Sequence, residues 1–327
     1  MYKKDYLDLK QTQYAIEKLK DFFSHNLRRK LNLVRVSAPL FVRTKSGLND
    51  GLNGEEPVRF KAKNIEDNLE IVHSLAKWKR DALYRYGFNV YEGLYTDMNA
   101  IRREEDLDYK HSFYVDQWDW ELVINKKDRN IRFLKRIVNK IYSALKITEK
   151  KINHIYPFLK NKLPEKLVFI SSEELYELYP NVNAEQRENK FIKENKAAFI
   201  YRIGYPLKDG EPHSKRAKDY DDWELNGDLI VYDEQNDKAL ELSSMGIRVD
   251  SVALKKQYKL SNEEIEKISP FHKQLINEVL PFTIGGGLGQ SRIAMFLLEK
   301  KHIGEVQVSV WDNETLEIAK ENQTKIL

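Results

Sequence analysis

The residues most suggestive of chemistry lie near the C-terminal end, in Gly285-Gly286-Gly287-Leu288-Gly289-Gln290-Ser291-Arg292, followed by an apolar run through Leu298. Clustered glycines ahead of a helix let backbone approach a phosphate, and a helix N-terminus favours anions. No Lys-Ser/Thr follows these glycines, and a G-x-G-x-x-G begun at Gly285 would need glycine where Gln290 stands, so neither common phosphate template fits. Two readings stand: a nucleotide turn with Gly287 and Gly289 close to the phosphates, or a tight packing turn between a strand and a helix. A second element, Arg102-Arg103-Glu104-Glu105, ends a candidate strand. Arginine forks match phosphate oxygens, and an acidic neighbour (Glu104 or Glu105) can accept from an adenine amino group. Alone, R-x-E is usually a surface ion pair; together with the glycine turn it makes a nucleotide hypothesis.

Two further strings supply polar groups for a small substrate. In Val115-Asp116-Gln117-Trp118-Asp119-Trp120-Glu121, strand alternation puts Gln117 and Asp119 on one face and Asp116 and Trp118 on the other. Polar groups side by side on a buried face need partners, since unpaired burial costs ~1–3 kcal/mol each. A substrate ammonium would satisfy both, and so would a buried network with Ser and Tyr. In Glu241-Leu242-Ser243-Ser244-Met245-Gly246-Ile247-Arg248, a carboxylate, two hydroxyls and an arginine fall close together. Glu241 is the candidate Mg²⁺ ligand, because Mg²⁺ is held by few carboxylates plus nucleotide phosphates.

The elements that must position these groups follow from periodicity. Residues 5–31 read as an amphipathic helix leading into a strand, Val34–Val42, interrupted by Pro39, which places that strand at an edge or bend. Residues 44–54 are a turn-rich polar loop carrying Asp50, either an Asx-turn residue or a carboxylate available for chemistry. A short strand, Glu70–Val72, leads to Ser74, a plausible N-cap for a helix through Tyr86. Strands at 93–101 and 111–121 flank a charged loop, and residues 121–156 read as a helix with one apolar face and one Lys/Arg face, the latter a solvated surface before a tRNA contact. Beyond it are a strand at 167–170, a helix opening on the capping box Ser171-x-x-Glu174, and a strand at 198–203. A polar loop at 205–227, a hairpin of Asp228–Tyr232 with Ala239–Val249, a helical stretch at 262–280 kinked at Pro270, and a last strand at Val306–Trp311 complete the chain. Helices and hairpins are intermixed, without internal repeats or linkers, which predicts one α+β catalytic domain over residues 1–327, with the basic helical segment (about 121–165) inside it.

Composition bounds the function. With 55 Lys and Arg against 51 Asp and Glu, the net charge is only +4, a balanced surface and no nucleic-acid footprint. The chain has no cysteine, which excludes disulfides, thiolate metal sites and a Cys nucleophile. The N-terminus, Met1-Tyr2-Lys3-Lys4-Asp5, has no apolar core, and no membrane-length apolar stretch exists, so a cytoplasmic location without membrane contact is expected.

The ordered set of R-x-E, Asp-Trp-Glu, Glu-Leu-Ser-Ser-Met-Gly-Ile-Arg and Gly-Gly-Gly-Leu-Gly-x-x-Arg resembles the catalytic core of class II aminoacyl-tRNA synthetases, above all the aspartyl and asparaginyl enzymes. The longer strings His73–Arg80, Val115–Glu121, Asp219–Trp223 and Glu241–Val249 are similar to the asparagine synthetase A (aspartate–ammonia ligase) family, and the likeness covers essentially the whole chain. The resemblance implies a mixed, mostly antiparallel sheet of six to eight strands flanked by helices, in a homodimer whose interface includes the Pro39 strand and the preceding helix. It implies conversion of aspartate, ATP and ammonia into asparagine, AMP and pyrophosphate, with Mg²⁺ and without tRNA. Asp50, Arg102 and Gln117 match catalytic positions. Lys79, Asp119, Asp221, Ser244 and Arg248 match an aspartate pocket, with Ser74 and Ser243 as further substrate-binding candidates. Arg292 matches a nucleotide-binding arginine, and Ser291 stands where the synthetases usually carry an acid. The rival readings are a minimal aspartyl- or asparaginyl-tRNA synthetase core, for which no anticodon-binding segment is visible, and a non-charging paralogue that binds RNA or protein, in which damage to the arginine motifs would be expected.

Overall fold

The computed structural model describes residues 6–52 and 54–327. Its first helix, α1 (Leu9–Leu31), opens on a capping box: Asp8 accepts from the Gln11 amide at 2.9 Å, and the Gln11 side chain accepts from the Asp8 amide at 3.1 Å. The sequence placed this helix from residue 5, and Asp5 lies outside the described residues. Ile16, Leu19, Phe23, Leu27 and Leu31 form the buried stripe that three- and four-residue spacing requires.

The expected strand Val34–Val42 is instead two short strands in different sheets, β1 (Leu33–Arg35) and β2 (Phe41–Arg43), because Pro39 between them cannot donate to a ladder. The chain continues through β3 (Arg59–Phe60), β4 (Leu69–Ile71), α2 (Ala76–Arg85), β5 (Gly93–Ile101) and β6 (Tyr114–Val123). α3 (Ile131–Ile155) starts later than expected: residues 121–123 complete β6, and Asn130 caps the helix by accepting from the Phe133 amide at 2.9 Å. β7 (Val168–Ser171) and α4 (Ser172–Leu178) meet at the anticipated Ser171–Glu174 capping box. After α5 (Ala184–Asn195) and β8 (Ala197–Tyr201) comes β9 (Asp221–Asp233), which takes in the end of the supposed 205–227 loop, and then β10 (Lys238–Arg248) and α6 (Ser251–Tyr258). The kinked helical stretch resolves into α7 (Asn262–Glu266) and α8 (Pro270–Ile276), with Pro270 at the first turn behind the Ser269 cap, where proline's missing N–H is harmless. β11 (Thr283–Gly289), α9 (Gln290–Leu297) and α10 (Asn313–Glu321) finish the fold. Val306–Trp311 forms no strand; side chains rather than ladder bonds hold it, among them Trp311, whose ring lies 5.0 Å from that of His302.

The main sheet has eight strands in the order β1-β5-β6-β11-β10-β9-β8-β7, antiparallel except for the parallel end pairs β1/β5 and β7/β8; β2, β4 and β3 form a small second sheet. Helices α1 and α3 cover one face of the main sheet, where Trp118 and Trp120 are buried and the Phe23 and Trp118 rings lie 4.6 Å apart. Alternation then turns Gln117, Asp119 and Glu121 to the opposite face. The glycine cluster is neither a nucleotide turn nor a packing turn. It is the central strand β11, paired with β6 and β10. A Cβ at Gly285 would collide with the Glu121 carboxylate, and one at Gly287 with the Gln117 amide; the missing side chains leave room for the polar groups of the neighbouring strand.

Candidate functional site

A cleft of about 320 Å³ opens over the centre of the sheet. One end is an ionic network with almost no solvent access. Lys79, on α2, pairs with Asp119 and donates to the carbonyls of Trp120 at 3.0 Å and Gly286 at 3.3 Å, with Glu121 at 3.8 Å. Arg248 forks onto Glu121, at 2.9 and 3.2 Å from Nε and 2.7 Å from Nη2, and its Nη1 reaches Asp221. Burial pushes the Asp119 and Asp221 carboxyls up against the pull of Lys79 and Arg248. At Glu121 burial also acts upward, but Arg248, Lys79 and Thr283 together bring the carboxyl below its usual range. Two cations facing three carboxylates in a closed pocket suit a small zwitterion, which brings both signs of charge and its own hydrogen bonds.

The other end carries the nucleotide candidates. Arg102, Glu104, Glu105, Gln117, Glu241, Gly287, Gly289 and Arg292 all line the cleft, as do Ser74, Lys79, Asp119, Asp221, Ser244 and Arg248 from the first end. Arg102 is a quarter exposed, lies 3.7 Å from Glu105, and keeps its Nε buried without a protein partner. Arg103 points to solvent and pairs with Glu104 at 3.5 Å, so Arg102 is the arginine of the doublet that faces the cleft. Arg292 donates to the Glu241 carbonyl at 3.2 Å and lies 3.8 Å from its carboxylate.

Three assignments change. Asp50 is not in an open polar loop: it is fully buried, with one oxygen accepting from the Ser74 hydroxyl and the Ala76 amide (2.6 Å) and the other from the Lys77 amide (3.1 Å). It therefore satisfies the first turn of α2 from a distance, a favourable place for a carboxylate. Ser74 is accordingly not the cap of α2; Leu75 occupies that position with no side-chain bond, and the Ser74 hydroxyl is spent on Asp50. Ser243 does not line the cleft. A register shift between Glu241 and Ser243 turns its hydroxyl onto the Gly287 carbonyl at 2.8 Å, and Ser244 faces the cavity instead.

Sequence reasoning missed two groups. Arg216 and Lys215 line the cleft from the loop before β9; the basic run Ser214-Lys215-Arg216-Ala217-Lys218 was the available signal. Asp228 pairs with Arg216 and has one buried oxygen with no partner. Burial, with Glu241 adding to it and Arg216 opposing, raises its carboxyl to about 7. Its signal was an acid directly ahead of the apolar run Leu229-Ile230-Val231. The orphaned oxygen beside Glu241 fits a divalent cation of the Mg²⁺ type, which takes one or two carboxylates and completes its shell with water and phosphate.

The fold is that of a class II aminoacyl-tRNA synthetase catalytic core. The structure superposes on the asparaginyl-tRNA synthetase of Entamoeba histolytica in complex with asparaginyl-adenylate with a TM-score of 0.66 at 14% identity, covering 91% of this chain and 66% of that one. The Pyrococcus horikoshii asparaginyl-tRNA synthetase complexed with asparaginyl-adenylate gives 0.64 at 16% identity, covering 90% and 68%. At the sequence level the aspartate–ammonia ligase family model matches residues 10–323. The aspartate–ammonia ligase of Clostridium tetani is 57% identical over 323 residues, covering 98% of this chain and 95% of the relative. Those of Fusobacterium nucleatum (55% over 322 residues, 98% of each chain) and Ureaplasma parvum (56% over 308 residues, 94% of each) are similar to the same degree. The chain belongs to the aspartate–ammonia ligase family.

Proposed function

We infer that the chain joins aspartate and ammonia to form asparagine, driving the reaction with ATP and releasing AMP and pyrophosphate through a β-aspartyl-adenylate. The observation that carries this reading is the convergence of Arg102, Gln117 and Arg292 on one cleft whose far end is the closed Lys79–Asp119 and Arg248–Glu121 pocket. A carboxylate does not react with ammonia until an oxygen is made a leaving group, and transfer of AMP to it does so. Lys79 and Arg248 hold the substrate's charged ends, with Asp119 and Asp221 available to its ammonium. Arg102 meets the α-phosphate, where charge builds in the transition state, and Gln117 donates to the phosphate or carbonyl oxygen. Arg292 braces the nucleotide. Asp228 and Glu241 would hold Mg²⁺, which when bound offsets the charge of the leaving pyrophosphate.

Ammonia then attacks the acyl carbon and AMP departs. Asp50 draws ammonium to this step and takes its proton; with three hydrogen bonds already on its carboxylate, it must give up the Ser74 bond to do so. The chain acts as one catalytic unit over residues 1–327, without tRNA. Among the described residues no helix is long and apolar enough to cross a membrane. The active form is a homodimer built on α1 and the strip from β1 to β2, a reading supported by the exposed Val34, Leu40 and Phe41 there. Incubating purified protein with aspartate, Mg-ATP and ammonium tests the reaction: asparagine, AMP and pyrophosphate should appear in equal amounts, and ADP in their place would overturn it.

A further inference from the structure

At the Arg292 end of the cleft, four buried polar side chains from three separate parts of the chain meet. Ser112 precedes β6, Asp116 is on β6, Ser291 is in the first turn of α9, and Gln307 is in the extended segment after α9; each is at most 7% exposed. The Gln307 amide nitrogen donates to the Ser291 hydroxyl at 3.0 Å and to Asp116 Oδ1 at 3.3 Å, and its carbonyl oxygen accepts from Ser112. The same Asp116 oxygen accepts from the Ser291 amide at 3.0 Å, and the other faces Lys20 of α1 at 3.3 Å.

Two facts give this cluster a purpose. First, the β6–β11 ladder ends at the pair Gln117–Gly289, and α9 begins immediately with no side-chain cap from its own N-cap residue. The direction of its first turn is therefore left to Asp116, which takes the Ser291 amide, one of the orphan donors every helix start exposes. Second, Asp116 and Gln117 are chain neighbours, as are Ser291 and Arg292. A bond between Asp116 and Ser291 is thus a bond between the carriers of two cleft side chains. Gln307 closes that bond into a ring, since its amide reaches both members at once, and its own segment has no sheet partner to hold it elsewhere.

We propose that Gln307 is a positioning residue for the nucleotide: by locking Asp116 to Ser291 it sets the approach of Arg292 to Gln117 across the cleft. Gln307 itself lines the cleft beside Arg292, and the role assigned to it runs through Arg292. The role deepens the ATP-dependent reading above and depends on the Arg292 end being the nucleotide's.

The test compares wild type with Gln307→Met, which keeps the volume and removes the hydrogen bonds, and with Ser291→Ala and the double variant. Two readouts are taken: AMP binding by calorimetry, which needs no turnover, and KM for ATP and aspartate in the asparagine assay. Losing one such locking bond should weaken AMP binding and raise KM for ATP by about 10-fold, with kcat and KM for aspartate changed less than about 2-fold. The double variant should be no worse than the poorer single one, because both break the same contact. Equal changes in both KM values, additive losses, or unaltered AMP binding in a folded Gln307→Met protein would each overturn the role. If wild type makes no asparagine, yet AMP binding is weakened about 10-fold in Gln307→Met and no further in the double variant, the reaction assignment fails and the positioning role survives.

Discussion

Replacing Arg102 with alanine separates its chemical role from any structural one. The residue is only partly buried, and its ion pair with Glu105 spans 3.7 Å; a pair of that kind contributes ~0–1 kcal/mol. Its buried Nε has no protein partner, so truncation also removes an unsatisfied donor, and the melting temperature should move little. The rate should move far more. A preorganised donor aimed at developing charge is worth ~2.7–4 kcal/mol, or about 10²–10³ in rate. Aspartate-dependent exchange of labelled pyrophosphate into ATP reports the first half-reaction alone, so ammonia handling does not confuse the result. Arg103, half exposed and paired with Glu104 at 3.5 Å, is the internal control, and its alanine variant should exchange at close to the wild-type rate. Exchange by Arg102→Ala within about 3-fold of wild type, or a larger loss at Arg103 than at Arg102, would refute the reasoning that assigns the α-phosphate to Arg102.

Four other outcomes are expected. Asp50→Asn should slow asparagine formation more than pyrophosphate exchange; equal losses in both would leave Asp50 only its bonds to the start of α2. Gly287→Ala should displace the Gln117 amide and depress exchange by ~10-fold or more, and normal exchange would show that Gln117 has no part in the first step. Asp228→Asn should raise the Mg²⁺ concentration needed for half-maximal exchange while leaving KM for aspartate nearly unchanged; a titration matching wild type would remove Asp228 from the metal. Asp219 sets an acid limit to stability. Burial acts to raise its carboxyl, but Lys77 at 2.8 Å and His272 at 3.3 Å outweigh this and hold it at about 2. A depressed carboxyl stabilises the folded state above its unfolded value, near 4, and that stability is lost as pH falls from there through about 2. The contribution is about 2 kcal/mol, and Asp219→Asn should flatten the fall in melting temperature across that window.

Much of the fold was legible because local chemistry and tertiary demand agreed. The α1 stripe, the β5–β6 pair around the charged loop, and the Ser171 capping box obey rules that act over a few residues. The cleft residues on β6 and β10 were legible for a related reason: strand alternation alone turns Gln117, Asp119 and Glu121 away from the two tryptophans. Failures arose where a distant neighbour decides. Glycines 285–287 and 289 read as a turn because glycine is locally permissive, yet they form a strand because Gln117, Glu121 and Met245 fill the space their side chains would need. Asp50 does lie in a loop, but it read as an open one because nothing near it in sequence reveals the α2 amides that bury it. Val306–Trp311 has the composition of a strand, but the eight-stranded sheet ends at β1 and β7, and side-chain bonds such as those of Gln307 hold the segment instead. Asp228 escaped notice because its significance lies in Arg216 and Glu241, which only the folded chain brings to it.

The central claim is that the side-chain carboxylate of aspartate attacks the α-phosphorus of ATP in this cleft. Aspartate carrying ¹⁸O in its β-carboxylate tests it directly, with the AMP released during asparagine synthesis analysed by mass spectrometry. One labelled oxygen should appear in the phosphate of each AMP molecule and none in pyrophosphate. Unlabelled AMP, or label recovered in inorganic phosphate alongside ADP, would contradict the account.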